Sequence, residues 1–143
     1  MTTRSALGGR AVYPGTFDPL TPGHLDIIDR ARRLFGHVTV LVASNRAKTP
    51  AMAPAARAAA IREALPNDWD DVDVTPWEGL TATYCAENDV RVIVRGVRSV
   101  ADIQYEYELA GMNESLGTTT VLLPARPHLA PISSTAVRLL GRG

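Results

Sequence analysis

Apolar residues along the chain fall into two alternating patterns: short unbroken runs, and longer stretches with helical spacing. The runs Ala11–Tyr13, Val38–Ala43, Val72–Thr75, Val90–Val94 and Thr119–Leu123 are rich in β-branched residues. Each has the length of a strand buried on both faces. Between the first two, Leu25, Ile28, Ala31, Leu34 and Phe35 recur on one side of a helix, with Asp26, Asp29, Arg30 and Arg33 elsewhere. Thr21 suits its N-cap, Pro22 its first position and Gly36 its C-terminal cap. Further helices are expected over Pro54–Leu65, Leu80–Glu87, Val100–Leu116 and Ser134–Leu140.

Strands alternating with helices of this length join most readily as right-handed βαβ crossovers. The expected fold is therefore α/β, a single-domain Rossmann-like doubly wound five-stranded parallel sheet, with residues 1–143 forming that one domain. In such sheets ligands bind beyond the carboxyl ends of the strands. The loops after the first, second, fourth and fifth strands thus become the places to look for chemistry.

Composition narrows the function. The 143 residues are 45% hydrophobic and 21% charged, the balance of a folded globular chain. Fifteen Lys plus Arg against fifteen Asp plus Glu give no net charge, which disfavours nucleic acid as a partner. Cys85 is the only cysteine, so an internal disulfide and a thiolate metal cluster are both out, and a reducing cytoplasm fits. Met1–Arg10 lacks the apolar core of a secretory signal, and no run approaches the length of a membrane span.

The four loops carry phosphate-binding chemistry. In the first, Gly15 allows close backbone approach and Thr16 offers a hydroxyl. His24 stands in the first helical turn, where free N–H groups and the helix dipole attract anions. The dipole disfavours an imidazolium there, which suits His24 to donating one hydrogen bond rather than shuttling protons. A plain turn with an exposed histidine is the competing reading. Arg46 and Lys48 lie after the second strand, as phosphate contacts or as ordinary surface charge. Arg95-Gly96-Val97-Arg98 ends the fourth strand and either forks onto phosphates or forms salt bridges to Asp102 or Glu106. Ile132-Ser133-Ser134-Thr135 precedes the last helix, where one hydroxyl would suffice as a cap and three suggest a second anion cradle. Neither G-x-x-x-x-G-K-[ST] nor G-x-G-x-x-G occurs. His24, His37 and His128 have no metal-ligand spacing; the latter two read as surface residues.

Gly15-Thr16-Phe17-Asp18-Pro19, Thr21-Pro22-Gly23-His24 and Ile132-Ser133-Ser134-Thr135 together resemble the nucleotidyltransferase superfamily with the T/H-x-G-H signature. With Lys48, Arg95-Gly96-Val97-Arg98 and Asp102–Glu108 added, the chain is similar to the bacterial phosphopantetheine adenylyltransferases, in order from about Val12 to Val137. That resemblance implies transfer of an adenylyl group from ATP to 4′-phosphopantetheine, giving dephospho-coenzyme A and pyrophosphate, with Mg2+ and no covalent enzyme intermediate. It assigns Thr16 and His24 to the attacking phosphate and the pentavalent α-phosphate, and Lys48 and Arg95 to neutralising charge there. Gly15, Phe17, Ser133 and His24 would also touch the nucleotide; Arg98, Ser134 and Thr135 would hold its outer phosphates, and Glu106 would lie near the ribose. Leu80, Thr81, Leu109 and Asn113 would line the pantetheine arm. A homo-oligomer, the hexamer of the family, is implied as well.

The sequence departs from the family pattern at Leu129-Ala130-Pro131, at Arg138-Leu139, in the missing acidic residue before Arg57, and in stopping at Gly143. These changes keep two further expectations open: nucleotidyl transfer from ATP or CTP to another phosphorylated small molecule, and a nucleotide-binding sensor without turnover.

Overall fold

A computed structural model describes residues 8–44 and 53–126. In chain order the elements are β1 (Arg10–Gly15), α1 (Pro22–Phe35), β2 (His37–Ala43), α2 (Pro54–Ala64), β3 (Val72–Trp77), α3 (Thr81–Asn88), β4 (Val92–Val97), α4 (Val100–Ser115) and β5 (Thr119–Pro124). The strands form one parallel sheet in the order β3-β2-β1-β4-β5. This is the expected α/β, Rossmann-like arrangement, with the strand order reversing between β1 and β4.

Side chains alternate across each strand and divide the core in two. Tyr13, Val38, Val40, Val42 and Val94 pack against Ile27, Ile28 and Ala31 of α1 and Ala58 and Ile61 of α2. Val12, Leu41 and Ile93 face the other way and meet Tyr84 and Cys85 of α3. Burial on both faces explains why the central strands read as unbroken apolar runs. Proline near the end of β3, at Pro76, is tolerated because β3 is an edge strand and needs fewer ladder donors.

Local signals set the helix ends. Thr21 caps α1, and Gly36 closes it at φ 87°, a left-handed conformation that glycine adopts without strain. Ser99 caps α4 by accepting the Asp102 N–H. Several boundaries lie one to three residues from expectation, and two of the shifts involve candidate site residues. The fourth strand spans Val92–Val97, two to three residues later than Val90–Val94, so Arg95 lies inside it rather than at its end. Leu80 is the N-cap of α3 rather than its first residue. His37 is half-buried and pairs with Asp73 at 2.7 Å, so it is part of a strand-to-strand contact. The helix expected over Ser134–Leu140 lies outside the described residues.

Candidate functional site

The switch in strand order puts a crevice beyond the carboxyl ends of β1 and β4, and the residues that converge there come from β1, α1, β4, α4 and the connections that follow the two strands. The turn after β1 carries Thr16, which is exposed, and Phe17, which is buried. The Phe17 ring stands edge-on to Tyr13, with centroids 5.2 Å apart, and to His24 at 5.0 Å. Phe17 thus contributes its backbone to the crevice, while its side chain forms the floor on which His24 rests.

His24 occupies the third position of α1 and closes a reciprocal cap with Thr21. The Thr21 Oγ1 accepts the His24 N–H at 3.2 Å, and His24 Nδ1 accepts the Thr21 N–H at 3.0 Å. A ring nitrogen that accepts a backbone N–H carries no proton of its own, so the proton of the neutral ring sits on Nε2. Burial, then the positive charges of Arg98 and Arg95, lower the pKa of His24 to about 4. At neutral pH the ring is an uncharged single donor held rigidly at a helix start. Tyr13 beneath it is kept in its neutral form by burial, which raises its pKa.

From β4, Arg95 reaches across the crevice. Its Nη1 donates to the Pro14 carbonyl at 2.7 Å, while Nε and Nη2 fork onto the Glu106 carboxylate at 2.8–3.1 Å. Burial works against the charge of Arg95, but the hydrogen bonds and attraction of Glu106 more than offset it and raise its pKa. The ion pair foreseen as an alternative for this arginine is therefore present. So is the second one: the Arg98 N–H donates to Asp102 Oδ2 at 2.9 Å, and the Arg98 Nε lies 3.8 Å from the same atom. Glu106 is 5% exposed and committed to Arg95.

Gly15, Thr16, Phe17, His24, Arg95, Arg98 and Glu106 are accordingly brought together. Leu80 and Thr81 belong to the start of α3, and Leu109 and Asn113 to α4. Leu80 caps and Thr81 begins α3, which follows β3 in the chain and packs Tyr84 and Cys85 against Val12, Leu41 and Ile93 of the central strands. Leu109 and Asn113 lie about 14 and 20 Å along α4 from its start, where Asn113 Nδ2 donates weakly to Thr120 Oγ1 at 3.4 Å. Lys48, Ser133, Ser134 and Thr135 fall outside the described residues.

Sequence reasoning passed over Arg57 of α2. It is 3% exposed; its Nη1 donates to the Thr16 carbonyl and its Nη2 to the Ala43 carbonyl at 3.2 Å. The available signal was an arginine in the first turns of an otherwise alanine-rich helix, one residue before the core-facing Ala58. Among the described residues no group of three or more His, Cys, Asp or Glu is placed to hold a metal ion. Nor is any described helix long and apolar enough to cross a membrane.

The arrangement offers anion-binding donors without a built general base, which suits charge stabilisation more than proton transfer. Comparison with known proteins agrees. The model of the Cytidylyltransferase-like family matches residues 12–140. A phosphopantetheine adenylyltransferase of Leptospira biflexa serovar Patoc is 43% identical over 134 residues, covering 92% of this chain and 83% of that protein. Another, from Thioalkalivibrio sulfidiphilus, is 45% identical over 130 residues, covering 90% and 81%. Among solved structures, a lipopolysaccharide core biosynthesis protein from Thermoplasma volcanium superposes with a TM-score of 0.58 at 24% identity, over 82% of this chain and 96% of that one; this likeness concerns the fold alone. By the length and identity of these matches, the chain belongs to the phosphopantetheine adenylyltransferase family.

Proposed function

We propose that the protein transfers the adenylyl group of ATP to 4′-phosphopantetheine, releasing pyrophosphate and forming dephospho-coenzyme A. The observation that carries the mechanism is the cap between Thr21 and His24, which leaves Nε2–H as the one free donor of a neutral ring. As the acceptor phosphate attacks the α-phosphorus in line, negative charge builds on the non-bridging oxygens. A donor already in place stabilises that charge with no reorganisation. His24 supplies it from one side and the Thr16 hydroxyl positions the acceptor phosphate. Lys48 and Arg95 add positive charge around the reacting groups, while Arg98, Ser133, Ser134 and Thr135 hold the departing pyrophosphate. Gly15 and the backbone of Phe17 line the nucleotide. Glu106 serves the nucleotide indirectly, by holding Arg95 against the Pro14 carbonyl.

Magnesium enters with the nucleotide as MgATP. Its preference for substrate phosphates over an all-protein cage fits a crevice whose carboxylates, Glu106 and Asp102, already bind Arg95 and the Arg98 backbone. When bound, the ion would neutralise phosphate charge; holding and aligning the substrates falls to the protein. The pantetheine arm would leave the crevice along α4 past Leu109 to Asn113, with Leu80 and Thr81 as its opposite wall. We place the protein in the cytoplasm, as one domain that assembles with copies of itself.

A substrate panel tests the proposal: ATP and CTP against phosphopantetheine and other phosphomonoesters, followed by pyrophosphate release. Turnover is expected with ATP and phosphopantetheine. Preference for CTP or another acceptor would replace the substrate assignment, and binding without turnover would make the protein a sensor.

A further inference from the structure

A guanidinium is among the least readily buried groups, and Arg57 is almost wholly buried. Its two described hydrogen bonds go to carbonyls of different segments, Thr16 just past β1 and Ala43 at the end of β2. These strands are neighbours, with Gly15 opposite Val42. One planar fork therefore ties two adjacent strand exits together, which an ammonium, acting as a point charge, would not do equally well.

The consequence for the crevice follows from peptide geometry. Among the described residues the only cis bond is Asp18–Pro19, so the Thr16–Phe17 peptide is trans, and its C=O and N–H point in opposite directions. With the Thr16 carbonyl drawn toward α2, the Phe17 N–H is turned away from α2. Arg95 grips the carbonyl two residues earlier, at Pro14, from β4. The exit of β1 is thus fixed at two points by arginines from separate elements.

We propose that Arg57 is a positioning residue for the transfer reaction, fixing the Thr16–Phe17 peptide so that the Thr16 hydroxyl and the Phe17 amide face the reacting phosphates. The inference rests on the adenylyl-transfer reading, and it gives Arg57 no contact with substrate.

The test is a cycle of Arg57→Lys and Thr16→Val, singly and combined, read as steady-state kcat and KM for MgATP with phosphopantetheine, alongside melting temperature. Arg57→Lys should lower kcat roughly 10- to 100-fold, the scale of a small misplacement of reacting groups, with KM for ATP changed little. Because Arg57 acts in part through the Thr16 hydroxyl, the double variant should lose less than the product of the two single losses. Arg57→Gln, which keeps N–H donors without the charge, provides a second variant should Lys not fold. Multiplying losses, or a lower melting temperature with unchanged kcat, would overturn the proposal. Failure of the transfer reading appears separately, as absent pyrophosphate release by the unmodified protein. In that event the shift of the Phe17 amide resonance on adding ATP decides: present in the unmodified protein and lost in the Arg57 variants supports positioning, and an identical shift in both overturns it.

Discussion

Gly15 has no room for a side chain: a Cβ built there would stand 2.9 Å from the tip of the Phe17 ring. That ring cannot simply swing aside, because it is wedged between Tyr13 and His24. Gly15→Ala should therefore destabilise the fold by about 1–3 kcal/mol, the usual range for overpacking, and slow turnover by displacing His24. Denaturant unfolding and steady-state kinetics check both parts; a variant with native stability and kcat would show that the ring yields freely. His24 itself affects stability and rate differently. Its pKa falls from an ordinary value near 6.5 to about 4 in the folded protein, so between these pH values the unfolded chain binds a proton that the folded chain refuses. Stability contributed by this site thus falls as pH drops through that window, by roughly 3 kcal/mol at most. His24→Asn should flatten the difference, as paired unfolding curves at pH 7 and pH 4.5 would reveal. The same substitution should lower kcat by about 10²–10³ while ATP affinity changes little, the mark of a donor used mainly in the transition state. The glycine, threonine and histidine were legible as residue types that suit phosphate. The tautomer was not, because it depends on a backbone N–H three residues away.

At the scale of elements, α4 and β4 are joined by the Arg95–Glu106 pair. Glu106 is the one buried residue of α4, so the helix docks on the sheet largely through an ion pair rather than an apolar stripe. Removing one partner of such a pair leaves the other charge without compensation. Glu106→Gln keeps the shape and removes the charge; it should cost about 2–3 kcal/mol, below the full-burial range because the Arg95 side chain is 30% exposed. It should also loosen Arg95 from the Pro14 carbonyl and so raise KM for the nucleotide. Unchanged unfolding free energy would mean that α4 is held by something else. This element also explains where sequence reading stopped. Helical spacing located α4 and a strand was plain in Val90–Val94, but an apolar run ends visibly only where its residues cease to be apolar. Arg95 and Gly96 continue the strand because the arginine is neutralised there and the glycine gives α1 space: a Cβ at Gly96 would lie 3.2 Å from Ile27. Glu106 was one of two nearby carboxylates expected to meet Arg95, whereas the contact of Gly96 with Ile27 joins distant parts of the chain and exists only in the folded sheet.

Across the whole molecule, strand order is what assembles the site. Regular alternation of strands and helices implied a parallel sheet, and the handedness of crossovers left few topologies. The reversal between β1 and β4 then brings residues 14–24 and 95–106 together although some seventy positions separate them. The contribution of Arg57 escaped notice because it acts across the exits of β1 and β2, a juxtaposition that exists only in the folded sheet. A last feature concerns the outer surface. Val100, Ile103 and Tyr107 recur at i, i+3 and i+7 along α4, and Tyr105, Met112 and Leu116 at i, i+7 and i+11; all six are exposed, Tyr107 at 76% and Val100 at 74%. The two sets lie on nearly opposite sides of α4, and large exposed apolar side chains in such number mark interaction surfaces more often than solvated ones. Taken with the assembly implied by the family, they predict self-association through α4. Sedimentation equilibrium should give a mass that is a multiple of 15.4 kDa, and Tyr107→Glu with Met112→Glu should shift it toward the single chain while circular dichroism stays unchanged. Since α4 also supplies Asn113 to the proposed pantetheine wall, dissociation should raise KM for phosphopantetheine more than KM for ATP. A protein that sediments as one chain before any substitution would remove the basis for this expectation.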